Sequence, residues 1–356
     1  MLIKQELVVA WVIVVVLAVD LRAEDWPQWR GPAGVNHAPE NATAPIEWSE
    51  IDGLEWVTKL PGRGNASPTI VGNKIYLATG DEKTETQSLV ILDRVQGEIL
   101  KEVVVHQGKL PGNVSGKNSH ANSTVASDGK RVFTMFLNDA APILTAFDLD
   151  GKKLWQQRVP GDIQIDFEWG FGSSPVISGD LVIVAAEFNL EGSGIYAFDV
   201  TNGKQRWMIP RPSQFSYSTP AIAHLNGRTL LLMCGNNSYN AYDVNTGEEV
   251  WNRKGTTMAT CGTMAWDPVV GLAFGCGGHP DRFVSAVSLK GQHEVAWRHN
   301  VKCYEQSVLT VKGYVYAVSD VGVAYCWNAI DGKECWKKRL SAISAALPFM
   351  LGATSM

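Results

Sequence analysis

Hydrophobic and polar positions alternate along this chain in a pattern that recurs, shown most plainly at residues 195–210, IYAFDVTNGKQRWMIP. Ile195, Ala197 and Phe198 form an apolar run that ends at Asp199. Asn202-Gly203 then supplies a turn, because glycine tolerates the positive φ of tight hairpins. Trp207 sits in a second apolar run, so the stretch predicts strand, Asp, Gly turn, and a strand carrying Trp. The same order returns in AYDVNTGEEVW (Asp243, Gly247, Trp251), CWNAIDGKECW (Asn328, Gly332, Trp336) and the shorter AFDLDGKKLW (Asp148, Gly151, Trp155). ILDRVQGEIL and VSLKGQHEVAW are weaker copies: Leu100 takes the Trp place in the first, and Ser288 replaces Asp ahead of Trp297 in the second.

A second hairpin pattern precedes each of these. It starts on small residues at Ser67, Asn122, Ser173, Ser218, Gly262 and Gln306, each followed by an apolar strand, a polar or Gly turn, and another apolar strand. Two hairpins make four strands, and the later copies repeat about every 44 residues. That is the arithmetic of a β-propeller blade. The expected fold is an all-β propeller of six recognisable four-stranded blades with an incomplete seventh. GLEWVTKL, around Gly53 and Trp56, reads as an outermost strand with no blade before it, suited to completing the last one. After Leu340 the chain begins another blade but reaches Met356 without a second hairpin, so the C-terminal blade is expected to be truncated.

Length alone would allow two domains for 356 residues, but blades cannot bury their faces singly and must stack into one body. The expected division is a signal peptide over 1–23, an irregular strap over 24–52, and one propeller over 53–356. Lys4, the apolar core Leu7–Val19 and Ala23 carry the signal reading, since that core is short of the ~20 residues a membrane span needs. Export to the periplasm or cell envelope follows, with membrane contact only through an uncleaved signal segment. Trp26, Trp29 and Arg30, in the Pro- and Gly-rich strap, are placed to staple the body. A net charge of −5 with no basic run argues against a nucleic-acid partner.

The motifs S-S-P-V-x-x-G-x-x-V (Ser173 to Val182) and A-F-D-V-T-N-G-K-x-x-W (Ala197 to Trp207) resemble pyrroloquinoline-quinone (PQQ) repeats. DWPQWRGP at Asp25–Pro32 is similar to the opening of exported propellers in that superfamily, which holds quinoprotein dehydrogenases and BamB-like lipoproteins of outer-membrane assembly. The resemblance spans residues 25–340 and implies fold more than function. No lipoprotein Cys follows the signal here.

Candidate chemistry comes from loops that enter the innermost strands and ring one mouth of the channel. His120, Asn122, Glu168, Trp169, Tyr217 and Glu305 are the residues expected there, a polar and aromatic set suited to a ligand. The repeat residues Asp148, Trp155, Asp199, Gly203, Trp207, Asp243, Gly247, Trp251, Trp297, Gly332 and Trp336 are read as structural. Cys261 with Cys276, and Cys326 with Cys335, lie equidistant from their turns and are candidate cross-strand disulfides. No adjacent Cys-Cys pair, nucleophile elbow, H-E-x-x-H or Walker loop occurs. No catalytic or metal-ligating residue is assigned. The expected function is a monomeric, non-catalytic scaffold for a protein or polysaccharide partner, with no cofactor. The alternatives are a PQQ- and Ca²⁺-dependent dehydrogenase of an alcohol or sugar, in which Asn122 and Glu168 would ligate the cation, and a carbohydrate-binding module.

Overall fold

The computed structural model describes residues 25–38, 42, 47, 49, 52–112, 114, 116–159, 170–225 and 227–340. Every regular element among them is a strand. Blade 1 comprises β1 (Thr69–Val71), β2 (Lys74–Asp81), β3 (Thr86–Asp93) and β4 (Ile99–Gln107). Blade 2 comprises β5 (Ala126–Ser127), β6 (Arg131–Asn138), β7 (Ala141–Asp148) and β8 (Lys153–Arg158). Blade 3 has β9 (Val176–Ser178), β10 (Leu181–Ala186), β11 (Gly194–Asp199) and β12 (Gln205–Pro210). Blade 4 has β13 (Ala221–Leu225), β14 (Arg228–Gly235), β15 (Ser238–Asp243) and β16 (Glu249–Lys254). Blade 5 runs through β17 (Ala265–Asp267), β18 (Leu272–Gly277), β19 (Phe283–Ser288) and β20 (Val295–His299), and blade 6 through β21 (Leu309–Val311), β22 (Tyr314–Val318), β23 (Val323–Asn328) and β24 (Glu334–Arg339).

Each blade is one antiparallel sheet whose strands pair in chain order. The first strands lie side by side, β1 by β5, β5 by β9, β9 by β13 and β17 by β21, which wraps the sheets about a central channel as a β-propeller. Middle strands such as β10 are buried throughout, whereas the outermost β24 is exposed at every residue. The core is therefore a series of layers between neighbouring sheets, as in the cluster of Phe133, Leu144, Val182, Val184 and Phe198 that joins blades 2 and 3.

The outer hairpins share one construction. Asp199 Oδ1 accepts from Thr201 N–H at 2.9 Å, Asp148 Oδ1 from Lys152 N–H at 2.8 Å, and Asp243 Oδ1 from Asn245 N–H at 3.0 Å. The turn glycine holds φ near +70° in Gly203 and Gly332. A Cβ on Gly203 would stand 2.7 Å from the Trp155 ring, so the indole of one blade lies flat on the turn of the next. Its Nε1–H donates to Val200 O at 3.1 Å, and Trp207 and Trp297 repeat the bond with Val244 O at 3.2 Å and Ala329 O at 2.8 Å. Trp251 instead stacks on His293 at 4.6 Å, where the turn of blade 5 is longer. Trp336 departs from the set: it is 46% exposed, because no described blade follows blade 6.

A β-bulge precedes the tryptophan in every blade, falling at Leu154, Arg206, Val250, Ala296 and Cys335, and at Leu100 in blade 1. It corrects two expectations. Leu100 is the bulge residue and 52% exposed, while Lys101 takes the tryptophan place and donates to Asp150 O at 2.9 Å. Cys335 is likewise bulged, so Cys326 faces Trp336 across the ladder, and both thiols are free. The Cys261–Cys276 bridge is not formed either. The hairpin closes with Asp267 opposite Leu272, and Cys276 Sγ turns to Gln306 O at 3.0 Å while Cys261 opens on the channel.

Two features around the channel carry no hydrophobic periodicity. The first is a ladder of hydroxyls at the start of each inner strand. Ser67 N–H donates to Thr124 Oγ1 at 3.1 Å, Thr124 N–H to Ser174 Oγ at 3.0 Å, Ser174 N–H to Thr219 Oγ1 at 2.9 Å, and Thr263 N–H to Ser307 Oγ at 2.9 Å. The second is the strap, which crosses from blade to blade. Trp26 pairs with Ile70 of β1, Pro27 O accepts from Ser127 N–H at 2.8 Å, and Gln28 Oε1 accepts from Ile177 N–H at 2.8 Å. Trp29 Nε1–H reaches Thr263 Oγ1 at 2.8 Å, and Arg30 Nη2 reaches Val308 O at 2.9 Å. Burial lowers the Arg30 pKa to about 10, and the carbonyl oxygens of Val35, Thr263 and Val308 receive its charge.

Trp56 lays its indole over Gly97 and donates to Arg94 O at 3.2 Å, the same relation to blade 1 that Trp155 has to blade 3. Its segment thus holds an outer-strand position with no strand paired to it among the described residues. The expected signal peptide and the C-terminal stretch after Leu340 lie outside the described residues.

Candidate functional site

The loops that lead into the inner strands line an open cavity of about 1080 Å³ at the channel mouth. Trp29 of the strap lies at its wall, brought there by the bond to Thr263. Blades 4, 5 and 6 contribute Phe215, Tyr217, Met258 and Tyr304, an aromatic and sulfur-bearing side. Blades 1 and 2 contribute Asn65, Lys117, Asn118 and Asn122, an amide and charged side. Phe215 and Tyr217 alternate along one extended segment, so both rings emerge on the same side; they are parallel within 4° at a centroid distance of 6.5 Å.

The charges at the mouth answer one another. Lys117 Nζ meets Glu305 at 2.8 Å, spanning from the loop between blades 1 and 2 to the entry of blade 6, and Lys302 meets Asp320 at 3.3 Å. The Glu305 bond raises the Lys117 pKa. Burial pushes the Cys261 thiol up to about 12, with the nearby Glu305 charge adding to it, and burial raises the Tyr304 phenol as well. Neither is a nucleophile at neutral pH. Behind the Phe215–Tyr217 segment, Arg211 Nε donates to Glu187 Oε1 at 2.6 Å with both side chains buried. Burial opposes the Arg211 charge, but Glu187 and Tyr242 raise its pKa above the usual value. Asn240 and Tyr242 accept from Arg211 Nη1 at 2.7 and 2.8 Å, so this pair anchors the loop base rather than facing the channel.

Of the residues expected at the mouth, the structure brings Asn122, Tyr217 and Glu305 together on the cavity wall. Asn122 is already spent: its Oδ1 accepts from Ser119 N–H and Oγ–H at 2.9 Å, and its Nδ2 donates to Phe171 O at 3.0 Å. His120 is not on this wall. It packs between blades 1 and 2, with Nε2 3.7 Å from Glu82, because Gly80 of β2 leaves room for its Cβ. Glu168 and Trp169 lie outside the described residues. The lining residues that sequence reasoning missed include Trp29, Lys117, Asn189, Gln214, Met258 and Lys302. Asn189 sits in a loop between the second and third strands of its blade, a position the repeat does not mark.

Of the two residues expected to ligate a cation in the dehydrogenase alternative, Asn122 is on the wall and Glu168 lies outside the described residues. Among the described residues no three His, Cys, Asp or Glu side chains gather to hold a metal ion. Glu305 is neutralised by Lys117, and the Asn122 amide is engaged by backbone.

Fold and site together define a repeat-built β-propeller whose channel is strapped by its own N-terminal segment and opens as a polar, aromatic-sided mouth. The chain belongs to the PQQ-repeat family whose model is described as outer membrane protein assembly factor BamB, matched over residues 87–292 and 280–355. Among solved structures it is similar to BamB from Moraxella catarrhalis, at 16% identity and TM-score 0.53, covering 79% of this chain and 78% of that one. It is also similar to the quinohemoprotein alcohol dehydrogenase from Comamonas testosteroni, at 13% identity and TM-score 0.62, covering 92% and 75%. A europium-containing methanol dehydrogenase gives 11% identity and TM-score 0.51, covering 94% and 88%. At these identities the likeness is one of fold. No curated protein matches the chain.

Proposed function

We propose that this protein is an exported, non-catalytic propeller whose channel mouth captures a protein or polymer partner in the cell envelope. The observation that carries the reading is the chemistry of the mouth. Its charged groups are paired with one another, and its candidate cation ligand Asn122 is hydrogen-bonded to Ser119 and Phe171. A site poised for reaction needs an activated group, and a site poised for capture needs a shaped wall with a few directed polar contacts. Membership of a family described by an assembly factor supports capture, and the dehydrogenase neighbours keep the enzymatic alternative specific enough to test.

Calorimetric titration of the folded full-length chain with PQQ, with and without Ca²⁺, is the deciding measurement. A flat trace is expected under both conditions. Saturable Ca²⁺-dependent binding would overturn the reading in favour of a dehydrogenase. A second reading, carbohydrate binding, is favoured by the parallel Phe215 and Tyr217 rings on the wall.

A further inference from the structure

We infer that the outer rim of blades 4, 5 and 6, beside the mouth, docks an extended acidic peptide segment of the captured partner. This deepens the capture reading and rests on it. Charge is spread unevenly over the strands. The outermost strands β4, β8, β12, β16, β20 and β24 carry ten Lys and Arg against three Glu, in a chain whose net charge is −5. On the last three the cations gather at the ends that lead to the mouth. Arg253 and Lys254 close β16, Arg298 is next to last in β20, and Lys337, Lys338 and Arg339 close β24. All six are exposed.

Pairing separates these cations from those of the earlier blades. Arg158 of blade 2 meets Asp139 at 3.3 Å, and Arg206 of blade 3 meets Asp180 at 3.0 Å and Asp199 at 3.3 Å. Among the described residues, Arg253, Lys254, Arg298 and Lys338 meet no carboxylate within 4.0 Å. Blades 4 and 5 also bring their cations to one seam. Arg298 Nη1 donates to the carbonyl of Gly255, the residue after Lys254, and its guanidinium lies 5.0 Å from the centre of the Phe283 ring. Tyr239, opposite Arg253, bonds through its hydroxyl to Ser285, which stands opposite Arg298. The rim therefore carries a local positive potential that the overall charge conceals.

Hydrogen bonding narrows the partner next. β16, β20 and β24 each end their sheet, so one edge of each pairs with no other strand among the described residues. An extended peptide bonds to such an edge while its carboxylates meet the flanking cations, and Arg receives a carboxylate through two parallel bonds. A second copy of this chain would bring like charge to the edge and be repelled. A planar anionic membrane meets a convex rim along one blade edge only, and a uronic-acid polymer has charge but no backbone to pair. The acidic peptide uses both features.

The test is fluorescence anisotropy of a labelled peptide of alternating Glu and Ser against the full-length chain. It is run at about 0.15 M salt, where exposed charges more than about 8 Å apart are largely screened. Saturable binding is expected, weakening as salt is raised. The triple variant R253E/K254E/K338E should weaken it by about tenfold or more. K130E/K204E/K333E makes the same change in net charge at exposed hairpin turns on the face away from the mouth, and should alter binding by less than about threefold. Melting temperatures report the folding of both variants. Absence of saturable binding to folded protein overturns the inference, as does equal weakening by the two variants, which marks a net-charge effect. Rim-dependent binding of polygalacturonate or of phosphatidylglycerol vesicles, with the peptide inert, overturns the peptide in favour of that partner. PQQ with Ca²⁺ is titrated alongside, and its saturable binding overturns the capture reading itself.

Discussion

His106 on β4 sets its imidazole edge against Phe136 of the neighbouring blade, rings perpendicular at 87° and 5.9 Å apart, and its Nε2 meets no hydrogen-bond partner among the described residues. Burial, with the Lys153 charge adding to it, lowers its pKa to about 4. The folded protein therefore holds this ring neutral at pH values where an unfolded histidine, near 6.5, already takes a proton. As pH falls the unfolded chain binds the proton first, so His106 contributes its stability fully above about 6.5 and loses it between there and 4. Urea unfolding at pH 7 and pH 4.5 should show H106F retaining more of its stability at the acid end than the parent does. Equal losses in both would exclude His106 as a source of acid sensitivity. None of this was legible in the sequence, where His106 is one polar residue at the end of an apolar strand. By contrast Asp199, Asp243 and Asp148 were legible as turn acceptors, because an Asp two to four residues before its donor closes a local ring.

At the scale of the element, the outer hairpin works as an interlock. Gly247 holds φ at +75° with the Trp207 ring 3.1 Å from where a Cβ would stand, so an added methyl meets both backbone strain and an indole. G247A is expected to destabilise the protein by more than the ~1 kcal/mol that glycine-to-alanine strain alone costs. W207A should cost about 3–5 kcal/mol through the lost packing between blades 3 and 4. Because one contact is removed twice, the double variant should be less destabilised than the sum of the singles. A strictly additive result in chemical denaturation would refute the interlock. The Gly and the Trp are both plain in the repeat. The bulge before the Trp is not, since it adds a residue to one strand without changing the pattern of residue types. That single insertion displaced Leu100 from the tryptophan place and Cys335 from opposite Cys326.

At the scale of the whole molecule, the strap makes separate blades mechanically one. It touches blades 1, 2, 3, 5 and 6, and Arg30 delivers a buried guanidinium to Thr263 O, Val308 O and Val35 O. Hydrogen bonds from a charged donor are worth about 1.5–3 kcal/mol each. R30A is accordingly expected to lower the melting temperature and to expose the strap to protease before the blades are cut. Unchanged melting and simultaneous cutting would remove the strap from the account. The repeat by itself determined the blades, their turns and the propeller, because each hairpin is specified by residues a few positions apart. Only the tertiary structure decided which loop residues share the cavity. Lys117 and Glu305 are 188 positions apart, and Trp29 and Thr263 are 234 apart. Such contacts arise when stacked blades bend the chain into an arc about one axis, and no local periodicity records where that arc brings its ends together.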